Sequence, residues 1–379
     1  MSRTARIIIG ILAWGFVATV TALLVFVGLL YFGVFPYFFG PKRSELYTSN
    51  FAATARHYAF LYEVQRTGER IVVAYDTHNK ALAAYEASSA FASPPWSSLL
   101  DDTVYIATAK KGLTPDKLTA GARLESTLYK CELVAARCSS VFQYDGSIGN
   151  VLDFPNGDLI FVSAKPQIHG PPSRPFVAYR NFDFYLRRAD GAIERLTEWD
   201  AFVLTSVGLG RDKLVFQLNP RWHLDNSKSE IYAALLSPER RITGFVPLDA
   251  EPYAEPFIAY GKNKDVAPSV SPDGSKTAFE SSSESRESRG WGEGRPWRYD
   301  IVIVDNDAKK VLHTIVPEPE ADLSWPKFID DNRIRFMSSD GRHYKFREFD
   351  LSTGQETVVG EISAEDIRRA KIHNLATGN

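Results

Sequence analysis

The stretch Val266–Val316 restricts the fold of this chain more than any other. Ala267-Pro268-Ser269-Val270 leads into Ser271-Pro272-Asp273-Gly274, and that into Lys276-Thr277-Ala278-Phe279-Glu280. Pro272 presets φ, Asp273 bonds back to its own backbone and Gly274 accepts positive φ, so the middle reads as a tight turn. The flanks are rich in strand formers. After a polar loop, Tyr299–Asp305 reads as a third strand, Asn306–Lys310 as a turn and Val311–Val316 as a fourth strand.

The same order of strand, Asp/Asn/Gly turn, strand, variable loop, strand, turn and strand recurs. One unit runs from Val151–Phe154 through Pro155-Asn156-Gly157-Asp158 to Ile193–Thr197, and the next from Phe202–Val207 to Arg241–Val246. The last runs from Leu323–Ile329 through Asp330-Asp331-Asn332 to Glu356–Val359. An earlier unit starts at Trp96, and the first, from His57 to Glu86, shows no clear innermost strand. Six units fill Tyr58–Gly360. Four antiparallel strands in about 50 residues is the size of one propeller blade. The expectation is an all-β fold, a six-bladed β-propeller over residues 57–362. A strand pair hidden in Asp249–Asp265 would make seven blades. A β-sandwich is the other all-β solution, but it leaves the fixed turn order unexplained.

Ser271-Pro272-Asp273-Gly274, Asp300 and Asp305 beyond it, and the closing Leu196-Thr197 resemble the repeat of TolB-type β-propellers. That resemblance implies six blades and a general expectation of protein binding. It transfers no partner, because TolB itself carries an additional domain and lacks the N-terminal segment described next.

Ile7–Val34 is an uncharged run of 28 residues. As a helix it would be about 42 Å long, enough to cross a hydrocarbon layer of about 30 Å with tilt. Arg3 and Arg6 precede it, and Tyr31, Phe32, Phe35, Tyr37, Phe38 and Phe39 form an aromatic belt at its far end. A cleaved signal peptide is the competing reading, but the run exceeds a usual h-region and lacks small residues at a cleavage site. The expected organisation is a cytoplasmic N-terminus (1–6), a single transmembrane helix (7–35), a stem (36–56), the propeller (57–362) and a short C-terminal helix or tail (363–379). The setting would be a bacterial inner membrane, with the propeller on the periplasmic side. Ser363-Ala364-Glu365-Asp366 fits a capping box for the tail helix. Cys131 and Cys138 face each other across an expected hairpin, within reach of a disulfide that an oxidising compartment would keep. Two half-buried thiols are the alternative.

With 44 Lys+Arg against 46 Asp+Glu and a net charge of −2, bulk charge gives no reason to expect nucleic-acid binding. Charge is nevertheless distributed unevenly. Antiparallel blades place every loop between second and third strands on one face. Four such loops, Lys110–Ser126, Ala164–Asn181, Asn219–Ser229 and Ser282–Arg298, carry +2, +3, +1 and +1, or +7 together. The opposite turns carry Asp101, Asp102, Asp158, Asp273, Asp305, Asp307, Asp330 and Asp331. The basic face supplies the candidate binding residues Lys165, His169, Arg174, Arg180, Arg221, Trp222, His223, Arg289, Trp291, Arg295 and Trp297. Arg and Trp anchor interfaces, stack on sugars and bind acidic groups. The expected ligand is a partner protein or an anionic, polysaccharide-like envelope component. Ordinary solvated loops are the plainer reading.

Catalytic motifs are sparse. The seven histidines are scattered, with no His-x-x-x-His or His-Glu-x-x-His pair, no Gly-x-Ser-x-Gly elbow and no phosphate loop. No cofactor or metal is expected. The alternative function is a propeller lyase or hydrolase acting on envelope glycans, with His169, His223 and Glu230 gathered at the channel mouth.

Overall fold

The computed structural model describes residues 46–64, 69–86, 90–110, 113–133, 135–219, 230–245, 265–281, 299–318, 321–339 and 343–375. The expected transmembrane segment, 7–35, lies outside them. Among the described residues no helix is long and apolar enough to cross a membrane.

The strands form six sheets, antiparallel except for one added strand at the edge of the first, the blades of an all-β propeller. Blade 1 holds β1 (Leu46–Ala53), β2 (His57–Val64), β3 (Glu69–Asp76) and β4 (Ala81–Glu86). Blade 2 holds β5 (Ala90–Ala92) and β6 (Trp96–Ser97), both paired to β7 (Val104–Lys110), then β8 (Glu125–Glu132) and β9 (Arg137–Asp145). Helix α1 (Pro115–Thr119) sits between β7 and β8. Blade 3 is β10 (Gly149–Asp153), β11 (Leu159–His169), β12 (Phe176–Arg187) and β13 (Ile193–Arg195). Blade 4 is β14 (Val203–Gly210), β15 (Lys213–Asn219), β16 (Glu230–Leu236) and β17 (Ile242–Thr243). Blade 5 is β18 (Asp265–Val270), β19 (Lys276–Ser281), β20 (Asp300–Asp305) and β21 (Lys310–Ile315). Blade 6 is β22 (Asp322–Phe328), β23 (Arg333–Ser339), β24 (His343–Asp350) and β25 (Gln355–Ser363).

Burial explains why the strands read as they do. Second strands are covered on both faces by neighbouring blades, so β15 is buried from Leu214 to Asn219 and β23 from Ile334 to Ser338. Such strands need near-continuous apolar runs rather than alternation. Fourth strands lie at the rim and are largely exposed, as in β13 and β25.

Three features depart from the sequence reading. The second half of the expected stem, Leu46–Ala53, is the innermost strand β1 of blade 1, paired along β2. The expected loop Ala164–Asn181 is mostly strand: β11 and β12 stay paired out to His169 and Phe176. The tail does more than add a helix. Helix α2 (Ala364–Arg369) has the expected capping box between Ser363 and Asp366. After it comes β26 (Lys371–Asn374), which adds to the outer edge of blade 1, parallel to β4. Ile367 enters the core shared by blades 6 and 1, and Leu375 the core shared by blades 1 and 2. Cys131 and Cys138 are a cross-strand pair of β8 and β9 joined by a disulfide.

The Pro272-Asp273-Gly274 turn ties three blades together. The Asp273 carboxylate accepts from Ser271 Oγ at 2.6 Å and from the Ser275 amide at 2.9 Å. The Asp273 amide donates to Asp331 of blade 6 at 2.9 Å, and the Arg211 amide of blade 4 donates to Pro272 at 2.8 Å. Gly210 packs so close that a Cβ there would meet the Ser271 carbonyl at 2.1 Å. Gly210→Ala should therefore cost about 1–3 kcal/mol by overpacking, read as a lower denaturant midpoint. Gly149→Ala is the matched control, since its Cβ would meet nothing closer than 3.7 Å.

The turn aspartates are structural acceptors. Asp305, Asp330 and Asp350 each take backbone amides two and three residues on. Burial opposes ionisation of Asp101 and Asp273. Hydrogen bonds from Lys130, Thr103 and Ser98, and from Ser271 and Ser275, outweigh it and hold both carboxyls at about 2. A depressed folded value means that the unfolded chain binds more protons. This stability should be fully present above about pH 4, where unfolded aspartate is ionised, and lost as pH falls toward 2. The thermal midpoint should drop across that window; a flat profile would refute the assignment.

Candidate partner-binding surface

Two features stand out among the described residues: an axial cavity and the projecting β11–β12 hairpin. The cavity, about 740 Å³, is lined by residues of blades 2 to 6. It owes its shape to a repeated irregularity. The innermost strands β1, β10, β14, β18 and β22 each carry a register shift, and blade 2 breaks at the same place into β5 and β6. At four of these bulges a non-glycine residue has positive φ: Asn150 (46°), Ser206 (53°), Ala267 (53°) and Trp325 (59°). Each such residue costs about 1–3 kcal/mol of backbone strain. The bulges turn amides out of the ladder, and side chains of the preceding blade receive them. Asn150 Oδ1 takes the Val207 amide at 3.2 Å, Gln217 Oε1 the Ala267 amide at 3.3 Å, and Glu280 Oε1 the Trp325 amide at 2.5 Å.

Glu280 is the one carboxylate among the described lining residues, and it is engaged in that bond. Lys327, two residues beyond Trp325, is pushed down to about 8 by burial, opposed by the Glu280 charge. Among the described residues no group of His, Cys, Asp and Glu could hold a metal ion. Neither His169 nor Glu230 is among the described residues that line this cavity. His169 lies on the hairpin, its ring 6.2 Å from that of Phe176, and Glu230 accepts from the Tyr232 hydroxyl at 3.0 Å. His223 lies outside the described residues.

The hairpin is the outer part of β11 and β12. It pairs Lys165 with Arg180, Pro166 with Tyr179, Gln167 with Ala178, Ile168 with Val177 and His169 with Phe176. Gly170, at φ 91°, opens its turn, closed by the Arg174 amide on the Pro171 carbonyl at 2.9 Å. Lys165 and Arg174 are exposed. So are Ile168 (43%), Phe176 (50%) and Tyr179 (38%), large apolar side chains that a solvated loop would not need to present. Lys165, His169, Arg174 and Arg180 thus share one projecting element. Arg221, Trp222, His223, Arg289, Trp291, Arg295 and Trp297 fall in 220–229 and 282–298, outside the described residues.

Sequence reasoning missed Asn150, Gln217 and Glu280, because no composition signal marks a bulge that uses non-glycine residues. It also missed the role of His57. That side chain is buried at the joint of blades 1 and 2, with Nδ1 3.2 Å from Asp102 and Nε2 3.9 Å from Asp76. Asp76 in turn holds Arg56 at 2.7 Å. Burial disfavours the Asp76 charge, but the Arg56 guanidinium and the His78 and Asn79 amides hold its carboxyl well below the usual range.

No protein-family model matches the sequence, and no curated protein matches it. Solved structures do. A TolB structure from Acinetobacter baumannii superposes with a TM-score of 0.50 at 13% identity, covering 80% of this chain and 63% of that one. A puromycin hydrolase gives 0.47 at 10% identity, covering 83% and 53%. The β-propeller domain of the Trilobed protease from Pyrococcus furiosus gives 0.41 at 13% identity, covering 83% and 85%. The chain spans less than two thirds of the TolB chain and about half of the hydrolase. At such identities the likeness is one of fold. The chain has the fold of a TolB-type six-bladed β-propeller.

Proposed function

We propose that this protein is a non-enzymatic binding or scaffold module of the cell envelope. Residues 7–35 anchor it in the bacterial inner membrane, and the propeller stands on the periplasmic side. The basic loop face captures a partner protein or an anionic envelope component. The observation that carries this reading is the β11–β12 hairpin, where exposed Ile168, Phe176 and Tyr179 stand among Lys165 and Arg174. Large apolar side chains beside cations are the composition of an interface core and its rim. The +7 of the four loops in a chain of net −2 supports it from the sequence. The Cys131–Cys138 disulfide is in keeping with an oxidising compartment.

A photo-crosslinking residue at Phe176, in intact cells, tests this. It should trap a defined envelope species that disappears when Lys165→Glu, Arg174→Glu and Arg221→Glu are combined. An unchanged crosslink pattern in the triple variant would reject capture by the basic face.

A further inference from the structure

We infer that the open edge of β12, from Phe176 to Arg180, receives an extended acidic segment of a partner protein as an added strand. The inference deepens the binding function proposed above and rests on it. Inside the blade, β12 lies between β11 and β13. Beyond the blade this changes. The β12–β13 pairing begins at Tyr185, and the Phe182–Ala201 bridge is the outermost tie. Among the described residues, Phe176–Arg180 therefore has a strand neighbour on the β11 side alone, up to the register break at Asn181. An open edge of this kind is a template for another strand.

The two edges of the hairpin are not equivalent. Pro166 lies opposite Tyr179 and has no amide hydrogen to give. A proline in a ladder occupies a position whose nitrogen faces outward. Antiparallel pairs alternate between facing and outward groups, so the amides of Val177 and Tyr179 point to the open side of β12. The β11 edge is blunted by Pro166 and runs into Gly170-Pro171-Pro172. The β12 edge, Phe-Val-Ala-Tyr-Arg, contains neither proline nor glycine. By register, Phe176 and Ala178 share one face and Val177 and Tyr179 the other, so an exposed aromatic flanks the edge on each side.

Charge selects the occupant. From Ala164 to Asn181 the chain has Lys165, Arg174 and Arg180 and no acid. A second copy of this hairpin would bring like charges together, whereas a strand carrying Asp or Glu would be drawn in.

The test applies full-length protein in detergent to an array of random seven-residue peptides, with soluble alginate as a polysaccharide probe. Bound peptides should be enriched in acidic and β-branched residues. Val177→Pro should weaken their binding at least about tenfold, while Val177→Ala stays within about twofold. Circular dichroism and the thermal midpoint should show both variants folded. If Val177→Pro binds like the parent while Lys165→Glu with Arg174→Glu does not, strand addition is overturned and capture by the basic face stands. Binding of alginate but no peptide overturns the protein partner and leaves the broader function intact. Binding of neither probe overturns both. A concentration-dependent dimer dissolved by Val177→Pro would make the occupant a second copy and also overturn the proposal.

Discussion

Each blade buries its two faces only against the blades on either side of it. Every hydrophobic cluster in the described residues draws on two adjacent sheets. Tyr105 and Leu128 of blade 2 meet Phe161 of blade 3, Phe184 of blade 3 meets Phe216 of blade 4, and Val215 of blade 4 meets Phe279 of blade 5. Ile303 of blade 5 meets Phe336 of blade 6, and Val72 of blade 1 meets Ile106 of blade 2. The ring closes where Tyr58, Phe60 and Tyr75 of blade 1 pack on Tyr344 and Phe346 of blade 6. A fully buried side chain of this size contributes about 1.5–3 kcal/mol. No sheet of four strands could supply both faces of such a core alone. The tail reinforces the closing joint, since α2 and β26 carry Ile367 and Leu375 into the cores on both sides of blade 1.

This arrangement divides labour between the two ends of the ring. The turn end is committed to structure. Its aspartates accept backbone amides, and the Pro272-Asp273-Gly274 turn binds blade 5 to blades 4 and 6. The other end carries the β11–β12 hairpin, with Lys165, Arg174 and Arg180 and no acid from Ala164 to Asn181. Loops held by a rigid ring are free to vary without cost to the cores. A fold shared by binding proteins and enzymes does not choose between them, so the site must carry the argument.

Most of the ring was legible because its signals are local. The turns at Asn156-Gly157, Asp273-Gly274 and Thr353-Gly354 and the apolar second strands mark blades 3, 5 and 6 directly. The cysteine hairpin and the Ser363 capping box were equally local. What escaped was set by distant partners. Leu46–Ala53 has a polar centre, Thr48-Ser49-Asn50, and becomes a strand because β2 pairs with it. Lys371–Asn374 is short and polar, and pairs in parallel only because the ring brings β4 alongside. In the hairpin, Pro166, Gly170, Pro171 and Pro172 break the strand pattern of the sequence. The structure retains Pro166 on an open edge and puts the other three in the turn. Where these expected loops were binding candidates, their shared face followed from topology, but the exposed Ile168, Phe176 and Tyr179 required coordinates.

The central claim is that six blades form one closed and mutually dependent ring. Native-state hydrogen exchange resolved along the chain tests it most directly. If the ring is closed, amides of β2, β7, β11, β15, β19 and β23 should exchange together, through one global opening, with β2 and β23 as slow as the rest. Faster, independent exchange of β2 and β23 would mean that blades 1 and 6 are free ends, and would contradict the account.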